Sequence, residues 1–191
     1  MHLIITRHGE TIESVNGICM GQTPGTLSPT GVKQAKKLAL RLKNRKFDVI
    51  YSSDLKRTFD TTNEILKFHP SKKINLDVRL REAFMGKLQG NKFPKDWDWN
   101  NRPSDVESHE SICLRVRSFI EDIYSKHKHE SVLVSCHGGT IMAFLTILNN
   151  KPISEFESWD YIENTSITEF DIEDDENNKM HLFNCTQHLI E

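Results

Sequence analysis

The N-terminal stretch Leu3-Ile4-Ile5-Thr6-Arg7-His8-Gly9-Glu10-Thr11 joins a short apolar run to a basic turn that contains a glycine. A run of this length, rich in β-branched residues and followed by a glycine, is typical of a buried β-strand. Comparable runs recur along the chain, at residues 47–51, 132–135, 167–172 and 180–185. The sequence therefore predicts five strands, and the first of them leads into the charged turn.

Helical patterns lie between most of these runs. Apolar residues spaced three and four apart follow Ser28-Pro29, a pair that suits a helix N-terminus. Three further patterns cover about residues 55–68, 111–126 and 139–148. Strands that alternate with helices indicate an α/β sandwich with a largely parallel sheet. The last two runs flank a polar turn at 173–179, so we expect an antiparallel hairpin at one edge of the sheet.

Length and charge restrict the class of protein. The 191 residues fit one domain over 1–191, and residues 85–108 follow neither period, which predicts a small irregular cap over a site. No apolar run approaches the roughly 20 residues that span a bilayer. The 25 basic residues against 27 acidic ones give a net charge of -2. This balance argues against nucleic acid or an anionic membrane as a partner.

The cysteines and the N-terminus bear on the compartment. Four cysteines stand far apart, without the paired spacing of a zinc site or a disulfide framework: Cys19, Cys113, Cys136 and Cys185. The apolar stretch at residues 3–6 is too short for the core of a signal peptide. We therefore expect a protein of the reducing cytoplasm.

Charged and glycine-containing segments follow three of the predicted strands. Ligands of open α/β sheets bind beyond the carboxyl ends of the strands, so these segments should meet at one edge. Arginine forks match phosphate oxygens, and the glycines at 138 and 139 would let a helix N-terminus approach an anion. An imidazole beside such a site can act as a nucleophile or carry a proton. The segments are Arg7-His8-Gly9-Glu10-Thr11, Ser52-Ser53-Asp54-Leu55-Lys56-Arg57 and Cys136-His137-Gly138-Gly139-Thr140.

Other interpretations of these residues exist. Either histidine alone could simply cap a strand end or bind a backbone carbonyl group. A cysteine phosphatase would need an arginine six positions after its cysteine, but Met142 stands there, and the phosphate loop G-x-x-x-x-G-K-[ST] is absent. Asp96 and Asp98 have the spacing of an aspartate phosphatase or a metal site, yet no apolar strand precedes them.

The ordered set of motifs resembles the histidine phosphatase superfamily, the phosphoglycerate-mutase-like proteins. The similarity to this superfamily covers nearly the whole chain. The C-terminal residues 184–189 are similar to the ends of bacterial phosphatases in the branch that includes α-ribazole-phosphate phosphatase and broad-specificity phosphatases. The matching blocks are Arg7-His8-Gly9-Glu10-Thr11, Gly21 to Gly31, Ser53-Asp54-Leu55-Lys56-Arg57-Thr58, Leu80-Arg81-Glu82 to Gly90, and Ser135-Cys136-His137-Gly138-Gly139.

The resemblance implies a three-layer α/β/α sandwich and hydrolysis of a small phosphorylated metabolite without metal or other cofactor. It implies that His8 attacks phosphorus to form a phosphohistidine and that Glu82 protonates the leaving oxygen. Water activated by the same carboxylate would then hydrolyse the phosphoenzyme, with an activity optimum on the acidic side of neutrality. The residues expected to hold phosphate are Arg7, Arg57, His137, Gly138, Gly21 and Ser14.

Two departures from the family pattern stand out. Ser14 occupies a position where the family usually has asparagine, and Leu88-Gln89 replaces the usual Trp-Glu pair. Two alternatives also stay open: a cofactor-dependent phosphoglycerate mutase and a phosphate-binding module without turnover. The mutases are generally larger and carry an inserted lid, and here only residues 85–108 are available for that purpose. The substrate and the oligomeric state are not readable from the sequence.

Overall fold

One mixed sheet runs through the chain, seen in a computed structural model that describes residues 1–174 and 177–190. Its strands in this part of the chain are β1 (His2–Arg7), β2 (Val49–Ser52), β3 (Ile74–Leu76), β4 (Ser131–Cys136), β5 (Ile167–Asp171) and β6 (Lys179–Cys185). The strand order is β3-β2-β4-β1-β5-β6. The four strands β3, β2, β4 and β1 are parallel, whereas β5 is antiparallel to both β1 and β6.

Helices cover both faces of the sheet. The four longer helices coincide with the four predicted patterns. Short 3-10 turns occur at Val78–Leu80, Gly86–Leu88, Trp99–Asn101 and Ile153–Ser158. The helices are α1 (Ile12–Val15), α2 (Pro29–Leu42), α3 (Lys56–Leu66), α4 (His109–His127), α5 (Gly138–Leu148) and α6 (Gln187–Ile190).

Successive side chains of β1 point to opposite faces of the sheet, so the core has two layers. Leu3 and Ile5 belong to a buried cluster with apolar residues of α4 and α5. Ile4 points to the opposite face, where it belongs to a second cluster with residues of α2 and α3. Successive strand side chains lie on opposite faces, so one run of buried aliphatic residues serves both layers. The predicted three-layer α/β/α sandwich with its antiparallel edge is confirmed.

Local sequence explains where the helices begin. Ser28 Oγ accepts a hydrogen bond from the Gly31 backbone N–H at 2.9 Å, and Pro29 takes the first helical position of α2. Ser108 Oγ accepts from Ser111 N–H at 3.2 Å, so α4 begins two residues before the predicted start at 111. Gly31 is also required sterically, since a Cβ there would lie 1.9 Å from the Glu10 carbonyl oxygen. The start of α2 thus packs directly on the turn after β1.

Some elements were not predicted. The three-residue strand β3 is half exposed at the sheet edge, and α1 and α6 each have four residues. The predicted hairpin of β5 and β6 is present, although residues 175 and 176 of its turn lie outside the described residues. Residues 85–108 contain two 3-10 turns and one isolated bridge, Ile18 to Lys92. Within the described chain, no helix combines the length and apolar character needed to cross a membrane.

Candidate active site

His8 lies immediately after β1 and is 2% exposed. Its Nδ1 is 2.7 Å from the carbonyl oxygen of Gly9. A carbonyl oxygen can only accept, so Nδ1 carries the proton in the neutral ring. The other nitrogen, Nε2, is then unprotonated and carries a lone pair that can accept a hydrogen bond. The backbone around the ring is also fixed, since Gly9 N–H donates to Thr61 Oγ1 at 3.1 Å and Asn164 Nδ2 donates to the His8 carbonyl oxygen at 3.0 Å.

Arg57 contacts this nitrogen from the second residue of α3. Its Nε donates to His8 Nε2 at 3.1 Å, and its side chain is 1% exposed. The remaining guanidinium nitrogens donate to the carbonyl oxygens of Gly21 at 2.8 Å and of Thr23 at 2.5 Å. Burial lowers the Arg57 pKa to about 10, against the opposing influence of the Glu82 carboxylate. At neutral pH the side chain is therefore a buried cation directed at His8.

The charge state of His8 follows from this environment. Burial lowers the His8 pKa well below its usual value, and the positive charges of Arg57 and Arg7 lower it further. Both causes oppose the charged imidazolium. His8 is therefore a neutral imidazole at physiological pH, with Nε2 available as a nucleophile.

His137 follows β4 and precedes α5. It is fully buried, and its ring centroid lies 5.1 Å from that of His8. Its Nε2 lies 2.9 Å from Ser53 Oγ and 3.2 Å from Thr58 Oγ1. Its Nδ1 has no hydrogen-bond partner within residues 1–174 and 177–190. Burial, followed by the charges of Arg57, His8 and Arg7, lowers the His137 pKa well below its usual value.

Glu82 comes two residues after the 3-10 turn Val78–Leu80 and faces the start of α5. One carboxylate oxygen accepts from Ala83 N–H at 2.9 Å, and the other accepts from Gly139 N–H at 3.2 Å. A Cβ built on Gly138 would lie 3.9 Å from Glu82 Oε2 and 3.8 Å from Cζ of Arg7. The carboxylate, the Arg7 guanidinium and the first turn of α5 are therefore close together.

Arg7 is the last residue of β1, and its side chain belongs to the same group as Glu82. Its Nη1 donates to the carbonyl oxygen of Ile162, and its guanidinium carbon lies 4.9 Å from the centroid of the Tyr161 ring. Its Nε is buried without a hydrogen-bond partner in the described part of the chain. A guanidinium held by one carbonyl group and one ring keeps donors for an additional acceptor.

A cavity of about 370 Å³ opens beside these groups. Its polar end is formed by Arg7, His8, Arg57, Glu82 and Gly139, with Gly21 beside Arg57. The rest of the wall is mainly apolar and includes Ile18, Met20, Met85, Ile112, Met142 and Phe156. Phe93 and Trp99 of residues 85–108 also line it. A cavity of this size with convergent polar groups at one end suits a small phosphorylated molecule.

The model of the histidine phosphatase superfamily (branch 1) matches residues 3–186. The chain belongs to this superfamily. Phosphoserine phosphatase 1 of Hydrogenobacter thermophilus is 34% identical over 202 aligned residues, which cover 99% of this chain and 94% of the relative. The superfamily that the sequence motifs predicted is therefore confirmed.

Solved histidine phosphatases have the same fold. A phosphoserine phosphatase from Entamoeba histolytica, in complex with 3-phosphoglyceric acid, superimposes with a TM-score of 0.86 at 27% identity. The match covers 98% of each chain. A mycobacterial glucosyl-3-phosphoglycerate phosphatase gives a TM-score of 0.88 at 25% identity and covers 97% of this chain and 99% of that one.

Among the described residues, three predicted phosphate ligands of this histidine phosphatase do not line the cavity: His137 and Gly138, which adjoin His8 and Arg7, and Ser14, which binds elsewhere. Ser14 is the third residue of α1, and its hydroxyl donates to the Thr11 carbonyl oxygen at 2.9 Å. The same Oγ accepts from Thr11 N–H at 3.2 Å, while Thr11 Oγ1 accepts from Ser14 N–H at 3.1 Å. This reciprocal pair is a capping box. Ser14 does not line the cavity within the described chain.

Gln89, which replaces the family glutamate, holds the loop that receives Arg57. Its Oε1 accepts from Gln22 N–H at 2.7 Å and from Met85 N–H at 3.3 Å. Gly21 has φ +50°, and a Cβ at that position would lie 2.4 Å from Gln89 Oε1. Only glycine fits this left-handed, crowded position without strain. The amide therefore has a structural role beside the site.

Several supporting residues were missed by the sequence interpretation. Ser53 and Thr58 hold His137, Thr61 binds Gly9, and Asn164 binds the His8 carbonyl oxygen. One signal was present: α3 buries polar side chains at Arg57, Thr58, Thr61 and Thr62, which is unusual for a core-facing helix. No comparable pattern marks Asn164, because it lies in a loop remote in sequence from His8.

Proposed function

We propose that the chain hydrolyses phosphate monoesters of a small metabolite through a phosphohistidine on His8. The observation that carries the proposal is the buried His8 ring. Gly9 fixes the proton on Nδ1, and Arg57 donates to Nε2. This arrangement presents the lone pair of a neutral imidazole beside a fixed positive charge, which a nucleophile toward an anionic phosphoryl group needs.

In the first step, His8 Nε2 loses its hydrogen bond from Arg57 and attacks phosphorus as the ester P–O bond breaks. Glu82 gives its proton to the leaving oxygen, so the alcohol departs neutral. In the second step, a water oxygen forms a bond to phosphorus while the N–P bond breaks, and Glu82 takes the proton of that water. Inorganic phosphate leaves, and His8 returns to the neutral ring with its proton on Nδ1.

The phosphoryl oxygens need positive charge and hydrogen-bond donors in both steps. Arg7, Arg57, His137 and the backbone N–H of Gly138 are the proposed donors, and Gly21 supports them by accepting from Arg57. Donors that are already fixed need little reorganisation as charge develops in the transition state. The two guanidinium groups supply positive charge where other phosphatases use a metal ion. In the described residues, no group of three or more His, Cys, Asp or Glu side chains could hold a metal.

We also propose the domain organisation and setting of the enzyme. Residues 1–191 would act as one domain, with residues 85–108 as a cap, because Met85, Phe93 and Trp99 line the cavity. The reducing cytoplasm is the proposed compartment, since the four cysteines are free thiols and three of them are buried. The net charge of -2 favours neither a nucleic-acid nor a membrane partner.

The test is release of p-nitrophenol from p-nitrophenyl phosphate with a chelator present. We expect the wild type and the control His129→Ala, an exposed histidine, to release it. His8→Ala should not, provided that its thermal unfolding still shows a folded protein. Equal release by His8→Ala, or none by the wild type, would overturn the proposal, and the second result would favour a binding module. A mutase would instead convert 3-phosphoglycerate to 2-phosphoglycerate faster than it releases phosphate.

A further inference from the structure

A row of contacting aromatic rings runs beside the cavity, and three of its members, Phe93, Trp99 and Phe156, line the cavity. Neighbouring ring centroids lie 5.3 Å apart from Phe93 to Trp97, 5.3 Å from Trp97 to Trp99, and 5.0 Å from Trp99 to His109. His109 then stacks on Phe156 at 4.2 Å with an interplanar angle of 10°. The row, hereafter the aromatic wall, joins the 85–108 segment to α4 and to the turn Ile153–Ser158.

A carboxylate stands at the end of the aromatic wall. Glu157 lines the cavity, and its Oε1 lies 3.5 Å from Nε2 of His109. Burial and the nearby Asp98 raise the Glu157 pKa, while burial and Arg102 lower the His109 pKa. His109 is therefore mostly neutral near pH 7, so it does not cancel the charge of Glu157. Arg102 donates to the Trp99 carbonyl oxygen at 3.2 Å and does not line the cavity.

The charges of the cavity are divided between its two ends. Among the described residues that line it, the basic side chains are Arg7, His8 and Arg57, which meet at the phosphate end. The lining acid outside that end is Glu157. A leaving group that carries a carboxylate would meet apolar rings and a like charge there. A cationic nitrogen would meet aromatic rings and a counter-ion.

We propose that the substrate is a phosphate monoester of an amino alcohol that carries no carboxylate, with an ammonium group that binds between the aromatic wall and Glu157. This inference rests on the proposed phosphatase function and specifies its substrate class. Quaternary and primary ammonium groups share the chemistry that such a wall recognises, namely a positive charge attracted by ring faces and a carboxylate. Phosphoserine, which gives one relative its name, and 3-phosphoglyceric acid, which is bound in a solved neighbour, both carry a carboxylate.

Two matched substrate pairs isolate the charges. Phosphocholine and 3,3-dimethylbutyl phosphate have the same shape and differ in the positive charge. Phosphoethanolamine and O-phosphoserine differ in the carboxylate. We expect kcat/KM for phosphocholine to exceed that of its neutral isostere about fivefold or more, an effect typical of a partly exposed cation site. Phosphoethanolamine should be hydrolysed faster than phosphoserine.

Enzyme variants then assign the preference to Glu157. Glu157→Gln should lower the phosphocholine ratio clearly below the wild-type value, since the aromatic rings alone then attract the cation. The control Glu155→Gln, in the same turn but paired with Lys151 at 3.1 Å, should keep the wild-type ratio. A wild-type ratio near one, an unchanged ratio in Glu157→Gln, or a preference for phosphoserine would overturn the inference. Hydrolysis of p-nitrophenyl phosphate in the same preparations separates the two proposals, since its absence would remove the phosphatase function itself.

Discussion

Arg57 Nε and His8 Nε2 lie 3.1 Å apart, and neither side chain is more than 2% exposed. The N–H of a guanidinium needs an acceptor, so this contact requires an unprotonated Nε2. The Nδ1 contact to the Gly9 carbonyl oxygen requires the same tautomer. Two independent hydrogen bonds thus select one protonation state of the ring.

Arg57→Lys tests the contribution of this guanidinium. A lysine ammonium cannot donate to His8 and to the Gly21 and Thr23 carbonyl oxygens in the same fork geometry. We expect kcat for p-nitrophenyl phosphate to fall roughly 10²- to 10³-fold, as for loss of one fixed donor to a developing charge. Lys56→Ala, an exposed neighbour paired with Asp60, is the control and should retain wild-type kcat. A wild-type kcat in Arg57→Lys would contradict the proposed role.

The buried histidines predict a pH dependence of stability. The folded-state pKa values of His8 and His137 are lowered below the ordinary 6.5, so below that pH the unfolded chain binds protons that the folded chain does not. The contribution of the two histidines to the free energy of unfolding should therefore be fully present above pH 6.5. It should fall with acidification, by up to about 1.4 kcal/mol per pH unit for each group. Chemical denaturation from about pH 7.5 to 5.5 measures the slope. The slope should be smaller in the double variant His8→Asn, His137→Asn; an equal slope would place its origin elsewhere.

Ser14→Ala separates capping from phosphate binding. Since the Ser14 hydroxyl and backbone N–H both bond to Thr11, we expect a loss of stability of about 1 kcal/mol, typical of a helix cap. The kcat/KM should stay within about twofold of wild type, because no contact of the hydroxyl is directed into the cavity. Thermal unfolding and steady-state kinetics measure the two effects. A large rise in KM without loss of stability would instead support the phosphate role predicted from the sequence.

Gln89 variants test how the loop at residues 20–24 is held. Gln89→Glu keeps an oxygen for the Gln22 and Met85 N–H groups, whereas Gln89→Leu leaves both without that acceptor. We expect the glutamate variant to retain most of the wild-type kcat/KM and the leucine variant to lose about tenfold, as when a buried hydrogen bond to a loop is lost. Equal kinetics in the two variants would show that the loop does not depend on this acceptor.

The sequence predicted the framework better than the details of the site. Long amphipathic patterns and apolar runs located the four main helices and five strands, because burial on one or both faces produces a periodic pattern of apolar residues in the sequence. The three-residue strand β3 was not predicted, because it is half exposed and too short to show a periodic pattern of apolar residues. Boundaries such as the start of α4 depended on the Ser108 cap rather than on the apolar pattern.

The candidate active site was also predicted only in part. Arg7, His8, Arg57, Glu82 and His137 were predicted from strand-end motifs and from the family resemblance, and the structure brings them together. Contacts across long sequence separations could not be predicted. The Asn164 bond to the His8 carbonyl oxygen and the aromatic wall ending at Glu157 exist only after the chain has folded.

The most direct test of the mechanism is to trap the phosphoenzyme. Enzyme mixed with labelled p-nitrophenyl phosphate is quenched in alkali, where phosphohistidine persists, and its peptides are mapped by mass spectrometry. We expect one phosphorylated peptide, with the phosphoryl group on Nε2 of His8, and no label in His8→Ala. Label on another residue, or rapid turnover by the wild type through a phosphate-free enzyme, would contradict it.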